Sequence, residues 1–170
     1  MSIDLSQFHQ VFFEESFEGL DAMESNLLEL ECETVDSEVI NTIFRAAHSI
    51  KGGSGTFGFA EIAEFTHILE TLLDEIREGS RNLTVDMVDL FLQSVDCLRE
   101  MMQQIQEGTE VDKDTPKELA LAFEKYLNSE NSENNVSESS GTTVGDASST
   151  GGSETEERTE AATQMEREEL

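Results

Sequence analysis

FRAAHSIKGGSGTFGF, residues 44–59, is the stretch of the chain that decides the fold. Its apolar residues lie three or four positions apart, which is the spacing of one face of an α-helix. The same face continues back towards Asp36, a candidate N-cap. We expect the glycines at 52, 53 and 55 to loosen the end of this helix and Gly58 to mark the turn after it. The apolar set of the helix is Val39, Ile40, Ile43, Phe44, Ala47 and Ile50.

Four further segments show helical spacing, and none shows the sustained alternation of a β-strand. Thr84 is a candidate cap for one of them, and Thr115-Pro116-Lys117-Glu118 has the pattern of a capping box for the last. Short connections favour antiparallel neighbours. The predicted fold is all-α: an up-down antiparallel four-helix bundle with an additional C-terminal helix on its side. With the central helix, which begins near Asp36, the predicted helices number five; the other four are residues 5–30, 59–77, 85–106 and 115–128.

The first helix carries many large apolar residues, and we expect the Phe and Met residues of the chain to be core. His9 is expected at the surface, because it has no partner on its own helix. The predicted apolar stripe of the first helix comprises Phe8, Val11, Phe12, Phe17, Leu20, Met23, Leu27, Leu28 and Leu30, with Glu15 as its polar exception.

The composition changes abruptly after Asn128. Residues 129–170 are rich in Ser, Glu, Thr, Gly and Asn and contain no aromatic residue, so they cannot bury enough apolar surface to offset their chain entropy. We therefore divide the chain into a domain at residues 1–128 and a disordered acidic Ser/Glu-rich linker at residues 129–170. Such a linker is most useful as a tether between domains, which suggests that the chain is part of a larger protein or descends from one.

The formal net charge of −28 excludes some classes of partner. Nucleic acids and anionic membranes call for a basic patch, and none is visible in the sequence. The N-terminus lacks the basic and apolar regions of a secretory signal, and no apolar run is long enough to span a membrane. The two cysteines, Cys32 and Cys97, are too few for a disulfide framework and fit buried positions in a reducing compartment. We expect a monomeric, cytoplasmic module.

His48 is the candidate functional residue of the central helix. At about 100° per residue, its side chain points about 115° away from the centre of the apolar stripe, hence towards solvent. A neutral imidazole is nucleophilic near neutral pH. Gly52, one turn ahead, leaves the adjacent surface bare for a docking partner, and Lys51 brings a positive charge beside any anion that His48 carries.

Folding the next helix back about Phe57 brings the level of Thr66 opposite His48. His67 and Glu70 lie within about one turn of that level. A Glu70 carboxylate bonded to one ring nitrogen would fix the tautomer and leave the other nitrogen free as a nucleophile. Taken one at a time, these features also fit ordinary structure: a surface histidine, a frayed glycine-rich helix end, and a chance Glu–His proximity.

The residues from Phe44-Arg45-Ala46-Ala47-His48 through Lys51-Gly52-Gly53 to Phe57-Gly58-Phe59 resemble the histidine phosphotransfer (HPt) motif. More narrowly, residues 1–130 are similar to the N-terminal P1 domain of the chemotaxis histidine kinase CheA. Phe12-Phe13-Glu14-Glu15-Ser16 and the stretch Leu27–Glu31 resemble the first helix of that family, and the acidic linker resembles the segment that follows it.

The resemblance implies roles for individual residues. His48 would be the phosphoacceptor, Glu70 would orient and activate it, and Lys51 and His67 would form its polar surroundings. We expect Gly52, Gly53 and Arg45 to form the docking surface. The resemblance implies two partners: the ATP-binding domain of a CheA-type kinase as donor, and a chemotaxis response regulator as acceptor.

The chain as given is expected to bind no cofactor and no metal; ATP and Mg²⁺ would belong to the donor kinase domain. It contains neither a GxxxxGK[ST] motif nor the ATP-binding domain of that family. Whether the chain itself counts as an enzyme therefore stays open, although it is expected to belong to a protein-histidine kinase. Three alternatives remain: a stand-alone HPt relay protein, a helical adaptor without chemistry, and a metal-binding bundle that uses His48, His67 and Glu70.

Overall fold

The computed structural model describes residues 5–133, which form five α-helices and no strand within that range. No helix there is both long enough and apolar enough to cross a membrane. The predicted linker lies almost wholly outside the described residues. The helices are α1 (Leu5–Glu29), α2 (Ser37–Phe57), α3 (Ala60–Arg77), α4 (Val85–Glu107) and α5 (Asp114–Glu133).

Helices α1 to α4 form the predicted antiparallel bundle. α1 packs on α2 and α4, α3 packs on α2 and α4, and α5 lies against α3 and α4. Residue contacts show that α1 and α2 run antiparallel. Gly19 of α1 approaches Ala46 of α2, whereas Phe12, earlier in α1, approaches Gly53, later in α2. The all-α prediction, with a fifth helix on the side of a four-helix bundle, is confirmed.

The predicted capping residues of α2 and α4 are confirmed. The Asp36 side chain accepts a hydrogen bond from the backbone N–H of Glu38, and Thr84 accepts one from that of Met87. Gly58 and Gly108 close the two helices in left-handed conformations, with φ of 80° and 69°. These positive φ angles favour glycine, because a Cβ would be strained there.

The predicted bounds of α5 were wrong at both ends. The helix begins at Asp114 rather than after Thr115, and Asp112 provides the cap: its carboxylate accepts hydrogen bonds from the Asp114 backbone N–H and the Thr115 hydroxyl. An aspartate is as good a cap as a threonine, so the sequence allowed either. The helix also continues past Asn128 to Glu133, which makes the first five residues of the predicted linker helical.

The core of the bundle differs from the predicted stripe on α1. Phe8, Val11 and Leu28 are 54%, 50% and 68% exposed, whereas Phe13, which the stripe omitted, is buried. His9 is half-buried rather than at the surface, with its ring edge-on to Phe57 at a centroid distance of 5.1 Å. Periodicity misplaced these residues because α1 has partners on two sides, α2 and α4, and its buried face is set by both.

The glycine-rich segment does not loosen α2, which corrects the sequence-based expectation. The helix runs unbroken through Gly52, Gly53 and Gly55 to Phe57. Gly53 has a packing role, because a Cβ built on it would stand 2.5 Å from a ring carbon of Phe12. That ring is itself packed against Phe13, Phe57 and Phe59, so it has little room to shift.

We predict that Gly53→Ala destabilises the bundle although alanine favours helix. The added methyl collides with the Phe12 ring, and such overpacking costs typically about 1–3 kcal/mol, more than the roughly 1 kcal/mol gained in helix propensity. Gly55→Ala is the matched control, because nothing lies within 4 Å of its Cβ position. Urea unfolding should show a lower midpoint for the first variant and an equal or higher one for the second. Equal stabilisation by both would contradict the packing role.

Candidate functional site

His48 lies on the solvent side of α2, as its position on the helix predicted. Its side chain is 63% exposed. The buried face of the same helix, formed by Ile43, Ala47 and Ile50, turns towards the interior. The imidazole therefore belongs to a helix held firmly by the core while its ring stays open to an incoming molecule.

Glu70 of α3 contacts the histidine directly. Its Oε1 lies 2.9 Å from His48 Nδ1, across 22 residues of sequence. The Glu70 side chain is only 11% exposed, so the carboxylate reaches the histidine from the bundle interior. When Nδ1 carries the proton, it donates a hydrogen bond to this carboxylate, and Nε2 keeps a free lone pair.

Lys51 completes the site from the next turn of α2. Its Nζ lies 2.7 Å from Glu70 Oε2, so each oxygen of the carboxylate has its own partner. Burial alone would raise the pKa of Glu70. The hydrogen bonds and charges of Lys51 and His48 outweigh that effect and lower the pKa below its usual value of 4.5. Glu70 is therefore a carboxylate at neutral pH.

A ring stack lies on the other side of His48. The Phe44 ring is nearly parallel to the imidazole, with an interplanar angle of 14° and a centroid distance of 6.0 Å. The Arg77 guanidinium carbon lies 3.9 Å from the centroid of the Phe44 ring. The sequence predicts Phe44 as part of the apolar face of α2 and gives no sign of a role for Arg77. The contact between Phe44 and Arg77 could not be predicted from their spacing in the sequence, because the two residues lie on different helices, α2 and α3.

The remaining predicted site residues differ in their surroundings. His67 is exposed, and among the described residues its side chain makes no hydrogen bond, ion pair or ring contact. Gly52 is exposed with open space around its Cβ position, whereas Gly53 faces Phe12 of α1. Arg45 is exposed one turn before His48. The bare surface beside the imidazole is thus at Gly52, and Gly53 is occupied by packing.

A groove between α1 and α2 was not expected from the sequence, and two of its lining residues, Arg45 and Ser49, flank His48 along α2. Its walls include Arg45, Ser49 and Gly53 from α2, and Phe8 and Val11 from α1. The exposure of Phe8 and Val11, which contradicted the core prediction, gives this groove its apolar wall. The signal was available in retrospect: the apolar residues of α1 span more of the helix than one buried stripe requires.

The groups at this site suit a nucleophile and its immediate support. It holds one oriented imidazole, a buried carboxylate able to stabilise an imidazolium, and an ammonium group able to approach an anion. Among residues 5–133, no three His, Cys, Asp or Glu side chains converge as metal ligands, so the metal-binding alternative has no ligand set there. A helical bundle that presents such a histidine has the form of a phosphotransfer domain.

Comparison with known proteins identifies the family to which this chain belongs. The chain belongs to the Hpt domain family, whose model matches residues 7–108. It is 46% identical over 128 residues to the chemotaxis protein CheA of Salmonella typhimurium, which is 75% of this chain and 18% of that protein. The chain thus spans under a fifth of the length of the curated relatives it matches.

Solved structures agree on the fold. The CheA phosphotransferase domain from Thermotoga maritima matches with a TM-score of 0.56 at 36% identity, covering 62% of this chain and 99% of that one. The phosphorylated P1 domain of CheA3 in complex with CheY6 from R. sphaeroides matches with a TM-score of 0.65, covering 71% of this chain and 95% of that one. Its identity is 23%, so this likeness concerns the fold alone.

We predict that Glu70→Gln removes an acid-sensitive part of the stability. Because the fold lowers the pKa of Glu70, the ionised carboxylate stabilises the native state above about pH 4.5, and this contribution is lost as the pH falls through the lower native value. At pH 7 the variant should be less stable by about 1–2 kcal/mol, because the ion pair with Lys51 is lost and the hydrogen bond to His48 no longer involves a charge.

Urea unfolding from pH 7 to pH 3 tests this. The difference between the wild type and Glu70→Gln should shrink below pH 4.5, while Glu64→Gln, an exposed carboxylate on the same helix, should match the wild type throughout. A difference that persists unchanged at pH 3 would show that the carboxylate charge is not the cause.

Proposed function

We propose that this chain is the phosphohistidine-accepting module of a CheA-type chemotaxis kinase, with His48 as the phosphoacceptor. The observation that carries the proposal is the Nδ1–Glu70 contact at 2.9 Å on an otherwise exposed imidazole. Membership of the Hpt family and the likeness to CheA proteins support the same role. The donor is the ATP-binding domain of such a kinase, and the acceptor is an aspartate of a response regulator.

The chemistry is phosphoryl transfer in two steps. Nε2 of His48 attacks the γ-phosphorus of ATP held by the donor; an N–P bond forms, the bond to the bridging oxygen breaks, and ADP leaves. The proton on Nδ1 stays between the ring and Glu70, whose negative charge stabilises the cationic ring. In the second step an aspartate oxygen of the acceptor takes the phosphoryl group, and the neutral imidazole returns.

This chain supplies a positioned nucleophile, and the donor supplies the groups that activate ATP. ATP and Mg²⁺ are held by the donor, and this chain needs no cofactor of its own. Lys51 lies beside the reacting ring with its Nζ on Glu70 Oε2, so a small movement lets it neutralise charge on a phosphoryl group. His67, exposed on α3, contributes to the polar surroundings that the donor meets.

Docking of both partners uses the open face around His48. Gly52 leaves space one turn ahead of the ring, and Arg45 offers a positive charge one turn behind it. The groove between α1 and α2, walled by Phe8 and Val11, adds an apolar strip suited to an apolar helix face of the response regulator. A phosphorelay of this kind operates in the cytoplasm, and we place the chain there.

A stand-alone HPt relay protein is the second candidate. It uses the same histidine and the same donor-to-acceptor chemistry, so the site does not separate the two. The resemblance to CheA proteins over 128 residues favours the kinase module. Robust labelling by a CheA-type kinase core, with none by a hybrid sensor kinase, separates them experimentally.

We predict that His48→Gln abolishes phosphorylation and leaves the fold intact. The amide cannot act as the nucleophile, and the ring is 63% exposed, so its loss leaves the buried core of the bundle unchanged. The protein is incubated with a CheA-type kinase core and labelled ATP, and acid-labile, base-stable phosphate is counted. His67→Gln, which alters the other exposed histidine nearby, serves as the control and should still be labelled. Labelling that survives in His48→Gln would remove His48 from the role.

We also predict that Gly52→Gln slows phosphoryl transfer without unfolding the bundle. The new side chain occupies the open space next to the imidazole and obstructs an approaching domain. Gly55→Gln adds the same side chain in open space farther along the helix and serves as the control. We expect KM to rise about tenfold for the first variant only, equivalent to roughly 1.4 kcal/mol of docking energy. Equal kinetics for both variants would show that Gly52 lies outside the docking surface.

A further inference from the structure

Arg77 ends α3 and takes no part in the transfer chemistry described above, yet it is linked to the reacting ring. Its guanidinium lies against the ring of Phe44, at 3.9 Å from the guanidinium carbon to the ring centroid. The Phe44 ring is in turn stacked on the imidazole of His48. One phenylalanine therefore stands between an arginine of α3 and the nucleophile of α2.

The hydrogen bond to Glu70 does not fix the histidine by itself. It reaches a single ring atom, Nδ1, so the imidazole can still tilt about that contact. In-line attack needs the Nε2 lone pair aimed along one direction, which depends on the plane of the ring. The Phe44 ring lies nearly parallel to the imidazole, at an interplanar angle of 14° and a centroid distance of 6.0 Å, and so presents a flat neighbour to the ring face.

Arginine suits the task of holding the phenylalanine. Its planar guanidinium stacks on an aromatic face, where the charge adds an electrostatic attraction. Asp74, one turn earlier on α3, pairs with the Arg77 guanidinium and restrains it. Arg77 also follows Glu70 by seven residues, which places both on the same side of α3, facing α2.

We propose that Arg77 is a positioning residue, which holds Phe44 and thereby sets the plane of the His48 imidazole. Helix α3 then contacts the nucleophile at two places: Glu70 bonds one ring nitrogen, and Arg77 acts on the ring face through Phe44. The kinetic consequence rests on the proposed role of His48 as phosphoacceptor, whereas the structural consequence does not.

The first test needs no partner protein. Arg77→Met removes the guanidinium and keeps a flexible chain, and NMR reports the ring-proton shifts of His48, which sense the ring current of Phe44. The shifts of Arg77→Met should move towards those of Phe44→Leu, and Arg77→Lys should fall between Arg77→Met and the wild type. Arg99→Met is the matched control, because Arg99 is likewise held by carboxylates, Asp21 and Glu24, on another face.

The second test measures labelling of His48 by a CheA-type kinase core. Arg77→Met should lower kcat about two- to fivefold, the size expected for one cation–π contact, with KM unchanged and partial recovery in Arg77→Lys. Because the positioning acts through Phe44, the effects of Arg77→Met and Phe44→Leu should not add in the double variant.

Unchanged His48 ring shifts in Arg77→Met would overturn the positioning role, whatever the labelling rate. A rise in KM with constant kcat would overturn it in favour of a docking contact. Absence of labelling in the wild type would instead count against the proposed function and would leave the result on ring orientation standing.

Discussion

A buried carboxylate held between an ammonium group and an imidazole is the interaction on which this site depends. Taking Glu70 out of water carries a desolvation cost that only well-placed partners offset. Here Lys51 and His48 take one oxygen each, at 2.7 Å and 2.9 Å, and both partners come from α2. The same group therefore joins α2 to α3 and contacts both His48 and Lys51, so a contact that stabilises the fold also serves the proposed function.

That arrangement needs the two helices held in one register. A shift of α3 along α2 by a single residue, about 1.5 Å, would stretch both contacts of Glu70. The short turn at Gly58, closed by its left-handed conformation, connects the helices tightly, and the core residues of both helices lock the register. The packed helices hold the backbone that carries His48, and the position of His48 on the solvent face of α2 exposes its ring.

Charge is unevenly distributed over this acidic chain. Of the eight Lys and Arg residues in the described part, Arg45 and Lys51 lie one turn to either side of His48 on α2, and Arg77 contacts the Phe44 ring stacked on it. A phosphoryl group is an anion, and an acidic surface would repel both the donor nucleotide and the product if no cations stood nearby. Lys51 and Arg77 are paired with Glu70 and Asp74, and these cations beside the imidazole suit the anion that the proposed chemistry delivers.

The sequence by itself determined that the five helices exist, the side of α2 on which His48 lies, and the level of α3 that faces it to within one turn. Helical period and turn position are local properties. Capping was local too, although α5 is capped by Asp112, three residues before the predicted Thr115. Tertiary structure alone decided the rest. The close approach of Phe12 to Gly53, the exposure of Phe8 and Val11, and the stacking of Arg77 on Phe44 all depend on how separate helices meet, and no spacing within one helix encodes that meeting.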